Sequence, residues 1–292
     1  MKYNFNVKRL RNKVQIDIDK WLYPSESVLQ IQKISGRSHI TYITEAQFVG
    51  EELKEVKKDD YILLSKVSCE VGTSPTAYYT IDENRYFDVP AEQIMGVFQD
   101  HIIDIIHLKM MPHTLLFERI KKAQDSVLAI EEKDTMLGKV VKVGENSKVR
   151  TNDVIAVRDN VSTPIKFGDK EYFAIEDKFV VGVLNSSYSI DSMNLINEYI
   201  IMKPYISKNV LNSTVLETPE INYDDLDYSD IENRNLFKVC YADKSLNVEK
   251  GDILLLNRDF TNYMYYNNEK FFVINGKKWI SGKIIERDKQ CN

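Results

Sequence analysis

Three landmarks return in the same order along this chain, and self-similarity of that kind constrains its fold more than any single motif does. The first is an apolar strand opened by an aspartate: Asp60-Tyr61-Ile62-Leu63-Leu64, Asp153-Val154-Ile155-Ala156-Val157 and Asp252-Ile253-Leu254-Leu255-Leu256. A valine and a tight polar turn lead into each, through Val56-Lys57-Lys58-Asp59, Val149-Arg150-Thr151-Asn152 and Val248-Glu249-Lys250-Gly251. Polar turn residues followed by an aliphatic run mark a buried strand leaving a turn.

The second landmark is a charged residue, two aromatics and, one residue on, a β-branched aliphatic. It reads Arg85-Tyr86-Phe87-Asp88-Val89, Glu171-Tyr172-Phe173-Ala174-Ile175 and Lys270-Phe271-Phe272-Val273-Ile274. Strand alternation sends one ring of each pair inward and the other outward. A closing strand with a central glycine follows: Ile94-Met95-Gly96-Val97, Val180-Val181-Gly182-Val183 and Trp279-Ile280-Ser281-Gly282-Lys283-Ile284. Glycine inside a strand marks a bulge or the close approach of another segment. The third landmark opens each unit. It is a strand, Val14–Ile18, Thr114–Glu118 or Tyr199–Lys203, then a polar stretch with a lone Val-Leu pair: Val28-Leu29, Val127-Leu128 and Val215-Leu216.

These registers divide the chain into units 1–100, 101–187 and 188–292. Short strands, frequent turns and almost no 3.6-residue period predict an all-β chain of three tandem small β-barrel domains. The joining segments, Gln99 to Pro112 and Asn185 to Asn197, are largely apolar and are expected as strands or packed connections. Glu220 to Glu232 reads as an acidic loop. Ile102–Ile106 and Ile200–Met202 are too hydrophobic for bare sheet edges. They are expected to pair with a neighbouring barrel, in the same chain or in the next copy of a homo-oligomer.

Composition narrows the function classes. With 43% hydrophobic and 11% aromatic residues the chain can build real cores, which excludes wholesale disorder. Its 39 basic and 44 acidic side chains leave a net charge of −5, the wrong sign for a nucleic-acid face. No apolar run approaches the ~20 residues of a membrane span. Met1–Arg9 has neither an apolar core nor a small-residue cleavage site, so a cytoplasmic chain with no membrane partner is expected.

The catalytic inventory is thin. Of the four histidines, His101, His107 and His113 flank the apolar stretch Ile102–Ile106, where a strand would hold them too far apart to share a metal. They and His39 read as surface or edge residues. Glu131-Glu132 and Asp224-Asp225 sit in polar stretches that read as solvated loops. Cys69, Cys240 and Cys291 form no C-x-x-C pair, so they read as ordinary thiols of a reducing compartment, without a metal. The sequence holds no nucleophile elbow, zinc-binding H-E-x-x-H, or glycine-rich phosphate loop. No enzyme and no cofactor are expected.

The order of landmarks resembles the GroES-like co-chaperonin family, most closely in the middle unit. There Thr114–Arg119 leads into a loop with Val127-Leu128. Leu137-Gly138-Lys139-Val140-Val141-Lys142-Val143-Gly144 is similar to the family's G-x-V-x-x-V-G segment. Asn152-Asp153-Val154-Ile155-Ala156-Val157 matches its G-D-x-V strand, and Glu171–Leu184 its final hairpin. Unit three keeps Gly251-Asp252-Ile253-Leu254 and Leu236-Phe237-Lys238-Val239-Cys240, while unit one has His39-Ile40-Thr41-Tyr42-Ile43 in place of the glycine-bounded segment.

The resemblance implies three tandem GroES-like barrels and a non-enzymatic co-chaperonin-like protein assisting folding or particle assembly. In that family a loop carries a short aliphatic segment into an apolar groove of a chaperonin ring, and Val28, Leu29, Val127, Leu128, Val215 and Leu216 occupy its place. The competing reading makes these pairs ordinary strand residues. It makes the protein a structural assembly component, for instance of a viral capsid or tail, whose barrels are bricks contacting other virion proteins.

Overall fold

The computed structural model describes residues 13–17, 42–66, 79–81, 84–120, 137–158, 161–184, 190–205, 236–257, 263–266 and 269–284. Among them every regular element longer than one 3-10 turn is a β-strand. The first repeat holds β1 (Lys13–Asp17), β2 (Ile43–Val49), β3 (Tyr61–Leu64), β4 (Tyr79–Ile81), β5 (Asn84–Pro90) and β6 (Ile94–Phe98), and β7 (Leu108–Met110) follows it. The second holds β8 (Thr114–Arg119), β9 (Leu137–Val143), β10 (Val154–Val157), β11 (Thr163–Phe167), β12 (Lys170–Glu176) and β13 (Val180–Leu184), followed by β14 (Asn194–Leu195). The third holds β15 (Tyr199–Pro204), β16 (Leu236–Ala242), β17 (Ile253–Leu256), β18 (Tyr263–Tyr266), β19 (Glu269–Asn275) and β20 (Ile280–Ile284).

One strand order occurs three times. The sheets run β4-β5-β1-β2-β3-β6-β7, β11-β12-β8-β9-β10-β13-β14 and β18-β19-β15-β16-β17-β20. Their irregularities repeat as well. The opening strand shifts register between Gln15 and Ile16, Leu116 and Phe117, and Ile201 and Met202. The strand after the aspartate shifts between Leu63 and Leu64, Ala156 and Val157, and Leu255 and Leu256. A bulge bends a strand and sharpens its twist. Two at matching places curl each sheet in the same way.

The aspartate landmark is one turn built three times. The Asp60, Asp153 and Asp252 carboxylates accept the amides of Lys57, Arg150 and Glu249 at 2.7, 2.7 and 2.8 Å. Each aspartate's own amide donates back to that residue's carbonyl, at 3.2, 3.1 and 3.1 Å. The residue before it takes positive φ, at Asp59 (68°), Asn152 (73°) and Gly251 (97°). Asn and Gly tolerate that conformation best, which accounts for their places in the second and third copies.

By compactness the chain divides into two units, one holding β1–β9, β11 and β12, the other β10 and β13–β20. In the first, Val14, Ile16, Ala46, Ile62, Leu64, Phe87 and Val89 turn one face of the first sheet onto a common core. The opposite face, with Ile43, Leu63, Met95 and Phe98, packs on Leu116, Ile165, Tyr172 and Ala174 of the second repeat, joined by Leu108 and Met110. A strand buried on both faces needs no polar alternation, which is why Ile62-Leu63-Leu64 is an unbroken apolar run. In the second unit Ile200, Met202, Phe237, Val239, Leu254 and Leu256 form the third repeat's own core. Its other face, with Tyr199, Ile201, Phe271 and Val273, packs on Val181, Ile190 and Leu195.

Several expectations change on this frame. Phe173 and Phe272 point into their own repeats, Phe173 stacked on Phe117 at 5.5 Å and Phe272 tilted on Phe237 at 5.3 Å. Their outward partners, Tyr172 and Phe271, are buried as well, because the preceding repeat covers that face. Only Tyr86 stays half-buried. Ile200–Met202 is no sheet edge: β15 lies between β16 and β19, and all three residues are fully buried. Ile102–Ile106 is a turn, not a strand, with Ile103 and Ile105 packed inward and Ile102 and Ile106 exposed. In the first repeat the counterpart of the glycine-bounded segment is Ile43–Val49 rather than His39–Ile43, with Ala46 where Val140 and Val239 stand.

Candidate docking loops

Long connections occupy the same topological place in every repeat. β1 and β2 are hydrogen-bonded antiparallel neighbours, as are β8 with β9 and β15 with β16. About two residues suffice to join such a pair, yet residues 18–42, 120–136 and 205–235 are spent on it. Val28-Leu29, Val127-Leu128 and Val215-Leu216 all fall in these connections. The six residues themselves lie outside the described residues, as does Glu220 to Glu232.

The strands that carry the connections are described. In the middle repeat Arg119 stands opposite Gly138, and a Cβ on that glycine would come 2.1 Å from Phe117 Cδ2, so the ring is seated on the glycine backbone. Phe117 in turn stacks on Phe173, and the missing side chain at Gly138 leaves the room this ring occupies. In the third repeat Pro204 stands opposite Phe237, beyond the last residue of β15 that pairs with β19. Its missing N–H therefore removes no ladder bond. Lys203 pairs with Glu269 and lies 4.9 Å over the Phe271 ring, and the Tyr205 amide donates to Leu236 O at 2.9 Å. Both loop roots are held by packing and pairing.

The polar side chains serve the joints between repeats. Lys142 Nζ donates to the carbonyls of Ile106 (2.9 Å) and Leu108 (2.8 Å), and loss of solvation draws its pKa below the ordinary lysine value. Asp104 Oδ1 accepts the His107 amide at 2.8 Å, a bond that keeps its carboxyl below the usual range. Tyr241 donates to Asp191 Oδ1 at 2.6 Å; burial and that carboxylate together push the phenol above its ordinary pKa. Burial also pushes up the Cys240 thiol, the opposite of what an activated nucleophile needs. Among the described residues no three His, Cys, Asp or Glu side chains are grouped to hold a metal, and no helix is long and apolar enough to cross a membrane.

One feature escaped sequence reasoning: among the described residues no strand pairs with the outer edge of β20 in the third repeat. Leu255 is 39% exposed, where its counterpart Leu63 is 0% exposed, and β20 carries exposed Ser281 and Lys283 beside Gly282. The signal was present. The first two closing strands are apolar on both sides of the glycine, and the third is polar on both sides.

In comparisons with known proteins, no family model and no curated protein matches this chain.

Proposed function

We propose that the protein is a non-enzymatic docking protein of the co-chaperonin type, acting in the cytoplasm by inserting aliphatic loop segments into apolar grooves of a chaperonin ring. The observation that carries this reading is the recurrence of a long connection, each with its Val-Leu pair, between strands that need only a short turn. Burying one Val and one Leu contributes about 1.5–3 kcal/mol each, too little for a stable complex alone. Three such loops on one chain multiply it through effective concentrations of roughly millimolar for linked sites. The GroES-like order of landmarks supports the same reading, and with it the closed-barrel form of each repeat.

A second reading has its own support. The strands β7 and β14 add each joining segment to the closing strand before it, which suits bricks of a structural assembly such as a virion. Replacing Leu29, Leu128 and Leu216 by serine separates the two. Loop docking predicts a chain that melts like the wild type and no longer binds a chaperonin in the presence of nucleotide. A folded triple variant that still binds overturns the docking reading. A triple variant that unfolds places the leucines in cores, where truncation of a leucine costs about 2–5 kcal/mol, and favours the bricks.

A further inference from the structure

Lys142 and Tyr241 hold the same register position in two repeats. Lys142 stands opposite Leu116 and Tyr241 opposite Ile201, each at the register shift that bulges its strand pair. Each is five residues on from the start of its strand, Leu137 in β9 and Leu236 in β16, where the chain returns from the long connection. Both side chains bond the joining segment that precedes their repeat. Lys142 Nζ donates to Ile106 O at 2.9 Å and to Leu108 O at 2.8 Å. The Tyr241 hydroxyl donates to Asp191 Oδ1 at 2.6 Å. The residue that the bulge leaves unpaired, Val141 or Cys240, packs into the apolar joint beside the bond.

The anchor points are themselves fixed. Ile106 and Leu108 flank His107, whose amide and ring Nδ1 both meet Asp104 Oδ1 at 2.8 Å. The Leu108 amide donates to Asp104 O at 3.1 Å. Asp191 sits in the 3-10 turn Ile190–Ser192, which the Met193 amide closes on Ile190 O at 3.1 Å. An ammonium on carbonyls and a phenol on a carboxylate are unlike bonds, so what the two repeats share is the position and the direction of the contact. The first repeat differs. Phe48 takes the place opposite Gln15, with Gln47 as the bulge residue, and Lys58 Nζ lies over the Phe48 ring at 5.9 Å.

We propose that Lys142 and Tyr241 are positioning residues for docking: each is a polar strut that holds a loop-bearing hairpin at a fixed angle to the joining segment in front of it. The inference rests on the docking reading above and adds how the second and third loops are aimed. Five residues of extended chain put the strut about 16 Å from the loop root, so a tilt at the strut is carried to the loop. Linked sites reinforce one another only while their geometry lets them engage together. An arm that is fixed beforehand also loses less freedom on binding. The first hairpin carries an apolar residue at this position, so the effect is confined to the other two.

The test combines hydrogen–deuterium exchange of the free chain with binding to a chaperonin ring in the presence of nucleotide, for wild type, Lys142→Met, Lys142→Arg and Tyr241→Phe. Methionine keeps an apolar stem and phenylalanine keeps the ring, so melting temperatures should stay near the wild-type value. Exchange should quicken over residues 102–108 in Lys142→Met and over 190–193 in Tyr241→Phe. Ring binding should weaken about tenfold or more in each. Lys142→Arg, which still donates to two carbonyls, should keep both readouts at the wild-type level. Should Lys142→Met fold poorly, Tyr241→Phe, which deletes a single oxygen, carries the test. Faster exchange with unchanged ring binding would make the bonds structural only and overturn the proposal, and so would unchanged exchange. A wild type that binds no ring overturns the docking reading and this role with it, while exchange in the free chain still reports on the struts alone, so the two failures are told apart.

Discussion

Leu108 lies on Gly96 with no room for a side chain between them, its Cδ1 2.7 Å from where a Cβ would stand. Lys109 O would be 3.0 Å from the same point, so backbone as well as side chain would have to move. Met193 and Gly182 repeat the relation, and Gly282 keeps the glycine without the neighbour. Overpacking of this kind costs about 1–3 kcal/mol. Gly96→Ala and Gly182→Ala should therefore lower the unfolding free energy by that amount. Gly282→Ala should be neutral or stabilising by up to about 1 kcal/mol, through the unfolded chain. Denaturant titration of the three variants checks the contrast, and equal losses at all three would show that the third glycine is not open.

The turn aspartates make the next test. Replacing Asp60, Asp153 or Asp252 by alanine removes a charge-assisted bond to a backbone amide at an exposed turn, and each should cost about 1 kcal/mol. Similar losses at all three, measured by chemical denaturation, are expected from one turn used three times. A large loss at one and none at the others would contradict the equivalence.

Asp252 adds a pH dependence. Burial by itself would raise its carboxyl, but the Glu249 amide and the Lys283 ammonium, 2.6 Å away, outweigh it and hold the pKa below the ordinary value. A folded-state pKa below the unfolded one contributes stability that is present above the unfolded value and is lost as pH falls through the folded value. Asp252→Asn should therefore be less stable than the wild type at neutral pH and equal to it in acid below both values. Melting curves across that range decide it, and a difference that persists in strong acid would assign the effect to something other than this charge.

The landmarks that were legible in the sequence are those set by local chemistry. Asp60, Asp153 and Asp252 were recognisable because a positive-φ turn and a buried strand leave a composition trace over a few residues. Opening, aromatic and closing strands followed from the same logic. What was not legible depended on the neighbouring repeat. The aromatic pairs were expected to place one ring inward and one outward, and the alternation is there; that Tyr172 and Phe271 are also covered comes from the repeat before them. Ile102–Ile106 was expected as a strand or a packed connection because it is apolar; Asp104 folds it into a turn through the His107 amide, with Ile103 and Ile105 packed inward. Among the described residues β4, β11 and β18 are edge strands, and an edge position tolerates Pro164 in β11. The Val-Leu pairs of the candidate site were legible as a repeated pattern, and their topological place only became plain once β1–β2, β8–β9 and β15–β16 were seen as hairpin neighbours.

Coverage by the preceding repeat gives a further contrast. Tyr172 is buried against Leu63, Met95 and Phe98 in a cluster shared by two repeats, whereas Tyr86, at the same position of the first repeat, is half-buried. Tyr172→Ala should cost about 3–5 kcal/mol, and Tyr86→Ala about 1 kcal/mol. Urea unfolding of both variants measures it, and similar costs would mean that the joint adds nothing to the burial of Tyr172.

The most direct test of loop docking is hydrogen–deuterium exchange over residues 18–41, 121–136 and 206–235, with and without a chaperonin ring and nucleotide. The prediction is new protection at Val28-Leu29, Val127-Leu128 and Val215-Leu216 on mixing, while β3, β10 and β17 exchange as before. Exchange at the three pairs that is already slow in the free chain and unchanged by the ring would contradict it.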